Sequence, residues 1–163
     1  RGIENVRIGT GFTSGVGLRI DAFPVQDKIC VQIGTAVEVN DYVHIGAVES
    51  ITIGNGVLIA SRVFITDHDH GCYGGDEFVH SSPGSSPANR ELLVNPVSIG
   101  DRVWIGEGVT ILPGVTIGEG SVIGANAVVT RNIPANSLAI GSPAKIIKRY
   151  DSAIQRWIRT DQV

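Results

Sequence analysis

Apolar positions recur every six residues over much of the chain. In 99–130, IGDRVWIGEGVTILPGVTIGEGSVIGANAVVT, the residues Ile99, Ile105, Ile111, Ile117, Ile123 and Val129 keep that interval without a slip. Gly follows four of them, at Gly100, Gly106, Gly118 and Gly124, and a second small or β-branched residue stands four after the lead: Val103, Val109, Val115, Ser121 and Ala127. Six is neither the period of a helix nor the alternation of a flat strand. A fixed repeat of this kind governs the architecture. Each unit reads as a short strand whose aliphatic points inward, followed by a bend at Gly, which adopts dihedrals other residues avoid. Three such strands make one triangular coil of about eighteen residues, and stacked coils pair as parallel sheets that bury their aliphatics against one another.

The same beat opens the chain at Ile8-Gly9, Phe12, Ser14-Gly15, Leu18 and Ile20. It falters at Phe23-Pro24, restarts at Ile33-Gly34, and runs through Ile45-Gly46 and Ile53-Gly54 to Ile65. Between Ile45 and Ile53 the interval is eight, so two residues are added at one corner. Residues 71–97, rich in Gly, Ser and Pro, break the pattern, and an excursion of this length inside a compact domain is commonly functional. It leaves directly after TDHDHG at 66–71. Near the end, Ile154, Trp157 and Ile158 have helical spacing and predict a short amphipathic helix. The expected organisation is a repeat domain over 1–145 with the excursion 71–97, then a tail over 146–163 carrying that helix.

Composition narrows the function classes. At 163 residues with 21 Gly and 6% aromatics, the chain is long enough for one domain with a core. A net charge of -3 argues against nucleic acid as a general partner. No uninterrupted apolar run is long enough to predict a transmembrane segment. The absence of Met makes Arg1 an unexpected natural start. Two cysteines, Cys30 and Cys72, are read as unpaired thiols of a reducing compartment.

The hexads, TDHDHG, the long excursion, VWIGEGVTILPGVTIG and AIGSPAKIIK together resemble the hexapeptide-repeat acyltransferases. GFTSGVGLRIDAF, VEVNDYVHIGAV and DHDHG are most similar to the O-acetyltransferases of lipopolysaccharide and O-antigen biosynthesis. The resemblance implies an all-β fold, a left-handed parallel β-helix. It further implies homotrimers with active sites between subunits, acetyl-CoA as co-substrate without a required metal, and a carbohydrate acceptor. The expected location is cytoplasmic, at most peripheral to the inner face of a membrane.

Moving an acetyl group to a sugar hydroxyl needs a base, because an alcohol is a poor nucleophile at neutral pH, and a neutral imidazole suits that task. Two histidines of TDHDHG qualify. An ungapped count from Ile53-Gly54 brings His70 to the family's catalytic position, and His68, two residues earlier, stays open beside it. Asp67 or Asp69 could orient the imidazole. By resemblance, Asn40 stands near the acceptor, and Trp104 packs on the cofactor arm or the catalytic loop. Ala125 and Thr130 line the arm's path, with Glu107 where relatives often have a small residue. Arg131, Lys145, Lys148 and Arg149 would meet the phosphates. Alternatives remain: transfer to the amine of a nucleotide-linked sugar or to an antibiotic-type acceptor, a non-catalytic scaffold, or a γ-class carbonic anhydrase-like metalloenzyme that would need a third histidine on zinc.

Overall fold

A computed structural model of the chain describes all residues except Asp27, 76–78 and 161–163. The first coil contains β1 (Val6–Ile8), β2 (Thr13–Ser14) and β3 (Arg19–Ala22). The second contains β4 (Val31–Ile33), β5 (Glu38–Val39) and β6 (His44–Ala47), the third β7 (Ile51–Ile53), β8 (Leu58–Ile59) and β9 (Phe64–Thr66). The excursion then adds β10 (His68–His70) and β11 (Leu92–Val94). The coils resume with β12 (Val97–Ile99), β13 (Trp104–Ile105) and β14 (Thr110–Ile111), and continue with β15 (Thr116–Ile117), β16 (Val122–Ile123) and β17 (Val128–Val129). β18 (Ser137–Ile140), β19 (Lys145–Asp151) and β20 (Arg156–Arg159) close the chain.

Equivalent strands of successive coils pair in parallel, giving three sheet faces. The order is β1-β4-β7-β12-β15 on the first, β2-β5-β8-β13-β16-β18-β19-β20 on the second and β17-β14-β9-β6-β3 on the third. The architecture is a left-handed parallel β-helix. Its core is the set of six-spaced aliphatics stacked in columns: Ile33, Ile53, Ile99 and Ile117 on one face, Val39, Ile59, Ile105 and Ile123 on the next, Ile45, Ile65, Ile111 and Val129 on the third, all buried. No strand of two or three residues could bury such a side chain alone, so stability resides in the stacking.

The glycine after each aliphatic has a different task from the one its sequence position suggests. Left-handed backbone falls two residues later, and Ala36, Tyr42, Arg62, Arg102 and Asn126 adopt it there as well as Gly56 and Gly120. The hexad glycine is needed for close approach: a Cβ on Gly118 would stand 2.2 Å from the Ala135 amide nitrogen in the next coil. Replacing Gly118 by Ala should therefore destabilise the protein by about 1–3 kcal/mol, as overpacking against backbone does, and thermal unfolding will read this as a lower midpoint.

Two expectations change. Ile154, Trp157 and Ile158 do not share a helix; a turn over 152–155 joins β19 to β20 as an antiparallel hairpin. Asp151 caps the turn by accepting from the Ala153 and Ile154 amides, Gln155 takes left-handed backbone, and Trp157 meets Tyr150 edge-on across the strands. A helical spacing confined to five residues is outweighed by pairing on an open sheet edge. The excursion also begins earlier than its composition suggests. Its ends are drawn together by β10 and β11, with His68 opposite Val94 and His70 opposite Leu92, and the coil is rejoined at Val97.

Candidate active site

The two-residue addition between Ile45 and Ile53 builds the site. It turns the amides of Val48, Glu49 and Ser50 toward one point, and the carboxylate of Asp67 fills it, accepting at 2.9, 2.7 and 2.7 Å respectively. Asp67 is fully buried. Its Oδ1 also lies 2.9 Å from Nδ1 of His68, which is 20% exposed. A carboxylate only accepts, so Nδ1 carries the hydrogen, and in the neutral ring the lone pair is on Nε2 of His68. Backbone, carboxylate and imidazole thus form one chain of hydrogen bonds that fixes both the tautomer and the ring.

His68 lines a cleft of about 560 Å³ between the third sheet face and the excursion stem. Its lining interleaves polar side chains, Asp21, His44, Thr66, Asp69 and His70, with apolar ones, Phe23, Phe64, Leu92 and Leu112, so that His44 lies beside Phe64 and His70 beside Leu92. Gly46 makes the open floor: a Cβ there would lie 3.6 Å from His68 Cε1 and 3.9 Å from His44 Nε2. His70 and Asp69 are exposed at the rim. The His70 ring stands edge-on to His68, centroids 6.0 Å apart, and its carbonyl accepts from the Tyr73 hydroxyl.

A second groove of about 480 Å³ lies on the second sheet face, one corner of the fourth coil away. Small residues one above another, Ala60, Gly106 and Gly124, with Ala125 beside the last, give it a narrow floor, and Trp104, Val122 and Leu138 flank it. Glu107 is on its edge, held by Arg62 at 3.0 Å. Register extends the groove's outer row from Leu58 through Trp104, Val122 and Leu138 to Lys148 and Arg159, an apolar path with a basic end. Lys145 pairs with Ile140 on the same sheet.

The sequence-derived candidates therefore fall into two sets. His68, His70 and Asp69 share the cleft; Trp104 and Ala125 share the groove, with Lys148 along its row. Asn40 stands exposed at the corner after β5, outside both, and Thr130 and Arg131 are exposed beyond β17. Asp21, His44 and Gly46 were not singled out as site residues, although the stacking rule could have found them: β3, β6 and β9 put Asp21, Gly46 and Thr66 in one row and Arg19, His44 and Phe64 in the next. Among the described residues no three His, Cys, Asp or Glu side chains form a group that could hold a metal ion. Both cysteines are free, and burial pushes the Cys30 thiol up.

Residues 96–131 match the family model of the bacterial transferase hexapeptide, six repeats. WbbJ of Escherichia coli (strain K12), provisionally described as a lipopolysaccharide biosynthesis O-acetyl transferase, is 51% identical over 157 residues, 94% of this chain and 76% of its own. The chain belongs to the hexapeptide-repeat acetyltransferases. Among solved structures, a hexapeptide-repeat acetyltransferase of Vibrio cholerae O1 biovar eltor complexed with acetyl-coenzyme A is similar at TM-score 0.73 and 27% identity, over 92% of this chain and 73% of that one. A galactoside acetyltransferase in complex with coenzyme A is similar at TM-score 0.63 and 28% identity, over 96% and 70%.

In this hexapeptide-repeat acetyltransferase, Gly46→Ala gives a clean probe of the cleft. Its contacts would be ordinary van der Waals ones and its backbone is not left-handed, so the fold should be unaffected. If the acceptor binds in this cleft, a methyl between the two imidazoles would displace it, and misplacement of about 1 Å can lower turnover roughly 10²-fold. Steady-state acetyl transfer beside an unchanged unfolding midpoint would check this.

Proposed function

We propose that this acetyltransferase moves an acetyl group from acetyl-CoA to a hydroxyl of a sugar during surface-polysaccharide biosynthesis, with His68 as general base. The observation that carries the reading is the Asp67–His68 pair: an imidazole of fixed tautomer, its Nε2 without a partner among the described residues, lining a cleft of mixed polar and apolar side chains. A pyranose, with both hydroxyls and C–H groups, suits such a mixed lining. The likeness to WbbJ supports the choice of acceptor class and of oxygen over nitrogen.

His68 Nε2 takes the hydroxyl proton as the oxygen attacks, and the imidazolium, stabilised by the buried Asp67 carboxylate, returns that proton to the departing sulfur. Acetyl-CoA supplies the activated thioester carbonyl. The groove fits its arm: a narrow floor of small residues with Trp104 and Leu138 beside it, leading to Lys148. Lys145 and Arg131, with no ion pair among the described residues, are proposed to assist with the phosphates, and Thr130 to face the arm beyond β17. Among the described residues that line it, the cleft offers no thiol or serine hydroxyl, and its Thr66 hydroxyl donates to the His68 carbonyl. Both features support direct transfer in a ternary complex. The row Leu58–Trp104–Val122–Leu138, exposed at Leu58 and Trp104 and half-buried at the other two, supports a homotrimer in which a neighbour covers the groove. No helix among the described residues is long and apolar enough to cross a membrane, and we place the reaction on the cytoplasmic side, where acetyl-CoA is made.

Free-thiol release from acetyl-CoA with a panel of neutral and amino sugars tests the reading. Thiol release that needs a hydroxyl acceptor, with product acetyl labile to mild alkali, is expected. An alkali-stable amide formed in preference would instead support transfer to nitrogen, and no retention on CoA-agarose would indicate a scaffold.

A further inference from the structure

The cleft contains a second histidine–carboxylate pair that the transfer chemistry leaves unused. His44 lies one coil below His68, and its Nε2 is 3.1 Å from Asp21 Oδ2. Asp21 is already gripped by two guanidinium groups, Arg1 at 2.9 Å and Arg19 at 2.7 Å. Arg1 and Arg19 hold its carboxyl well below the usual carboxylate range, with His44 contributing after them, so Asp21 accepts. His44 Nε2 then carries the donated hydrogen, and Nδ1 is the ring's remaining polar atom, with no partner among the described residues. The ring is braced against Phe64, centroids 5.2 Å apart.

Two features point past a structural role. Two guanidinium groups satisfy the carboxylate without His44, so the histidine is not needed to hold Asp21 in place. And the Gly46 floor faces both imidazoles: the point where its Cβ would be is within van der Waals reach of His68 and of His44 alike. A small polar group bound over Gly46 meets one imidazole on each side.

The geometry points to the His44–Asp21 pair, where Nε2 meets the carboxylate beside the Gly46 floor, as the binding site for the acceptor hydroxyl adjacent to the one that His68 deprotonates. The substrate class is then a vicinal diol, and a lone hydroxyl is a poor acceptor. This rests on reading the cleft as the sugar site. It adds a selection rule to that reading: a site that hydrogen-bonds a substrate hydroxyl rejects the analogue lacking it, because its polar group is left unpaired.

The test compares methyl glycopyranosides with their monodeoxy counterparts, each lacking one hydroxyl beside the acetylated position, as acceptors for the wild-type protein, His44→Ala and His44→Gln. The wild type is expected to prefer the diol by roughly 10- to 100-fold in kcat/KM. His44→Ala should raise the acceptor KM about tenfold and erase the preference, with the KM for acetyl-CoA unchanged. His44→Gln, whose amide can donate to Asp21 and still meet a hydroxyl, should recover part of both. A preference for the diol that survives in His44→Ala overturns the inference and leaves the acetyl-transfer reading standing. Failure of the wild type to acetylate any member defeats that reading, and this inference with it.

Discussion

Asp67→Ala is expected to lower stability by about 3–5 kcal/mol and to reduce acetyl transfer by roughly two decades or more. The first figure follows from the three amides of Val48, Glu49 and Ser50, which converge on this buried carboxylate and lose a charged acceptor together. The second follows from His68, whose Nδ1 hydrogen would have no carboxylate to hold it, so the ring can turn or exchange tautomers. Asp67→Asn separates the two effects. Its amide oxygen can still accept from part of the corner, so it should recover some stability, yet it cannot stabilise an imidazolium as a carboxylate does. Thermal unfolding, with a midpoint lower by roughly 10 °C for Asp67→Ala, and steady-state kinetics on the same preparations check both.

His68→Ala should lower turnover about 10²- to 10⁴-fold, the usual worth of a positioned base. The loss should lie in kcat at saturating acetyl-CoA. His68 lines the cleft and not the groove of Trp104 and Ala125, so affinity for CoA, measured by calorimetry, should stay within about twofold of wild type. The fold should also persist, because the side chain is partly exposed and contributes nothing to the aliphatic columns.

Much of the fold was legible because a β-helix is a one-dimensional object. The six-residue beat alone identifies which aliphatics turn inward, and every leading residue from Ile99 to Val129 is buried. What the beat leaves open is the reason for each glycine. Gly100, Gly106 and Gly118 answer to the backbone of the following coil, a contact across 17–19 residues, and the turn conformations fall instead on residues such as Arg62 and Arg102. The tail misled for a related reason. The spacing of Ile154, Trp157 and Ile158 is local information, whereas the open edge of β18 that recruits β19, and through it β20, is not.

The site was legible as a location and less so as an assignment. TDHDHG next to a long excursion marks the region, but counting along the chain favours His70 and leaves His68 second. They are distinguished by a corner 17–19 residues upstream, whose extra length was visible and whose three convergent amides were not. Those amides bury Asp67, Asp67 holds His68, and His70 is left at the rim. Likewise the Asp21–His44 pair joins residues 23 positions apart that only stacked coils make neighbours.

The measurement that bears most directly on this account is the turnover of His68→Ala and His70→Ala side by side, at saturating acetyl-CoA and a common sugar acceptor. The carboxylate-held imidazole predicts a loss of two decades or more for His68→Ala and a loss within about tenfold for His70→Ala. Near-normal turnover of His68→Ala beside a collapsed His70→Ala would contradict it.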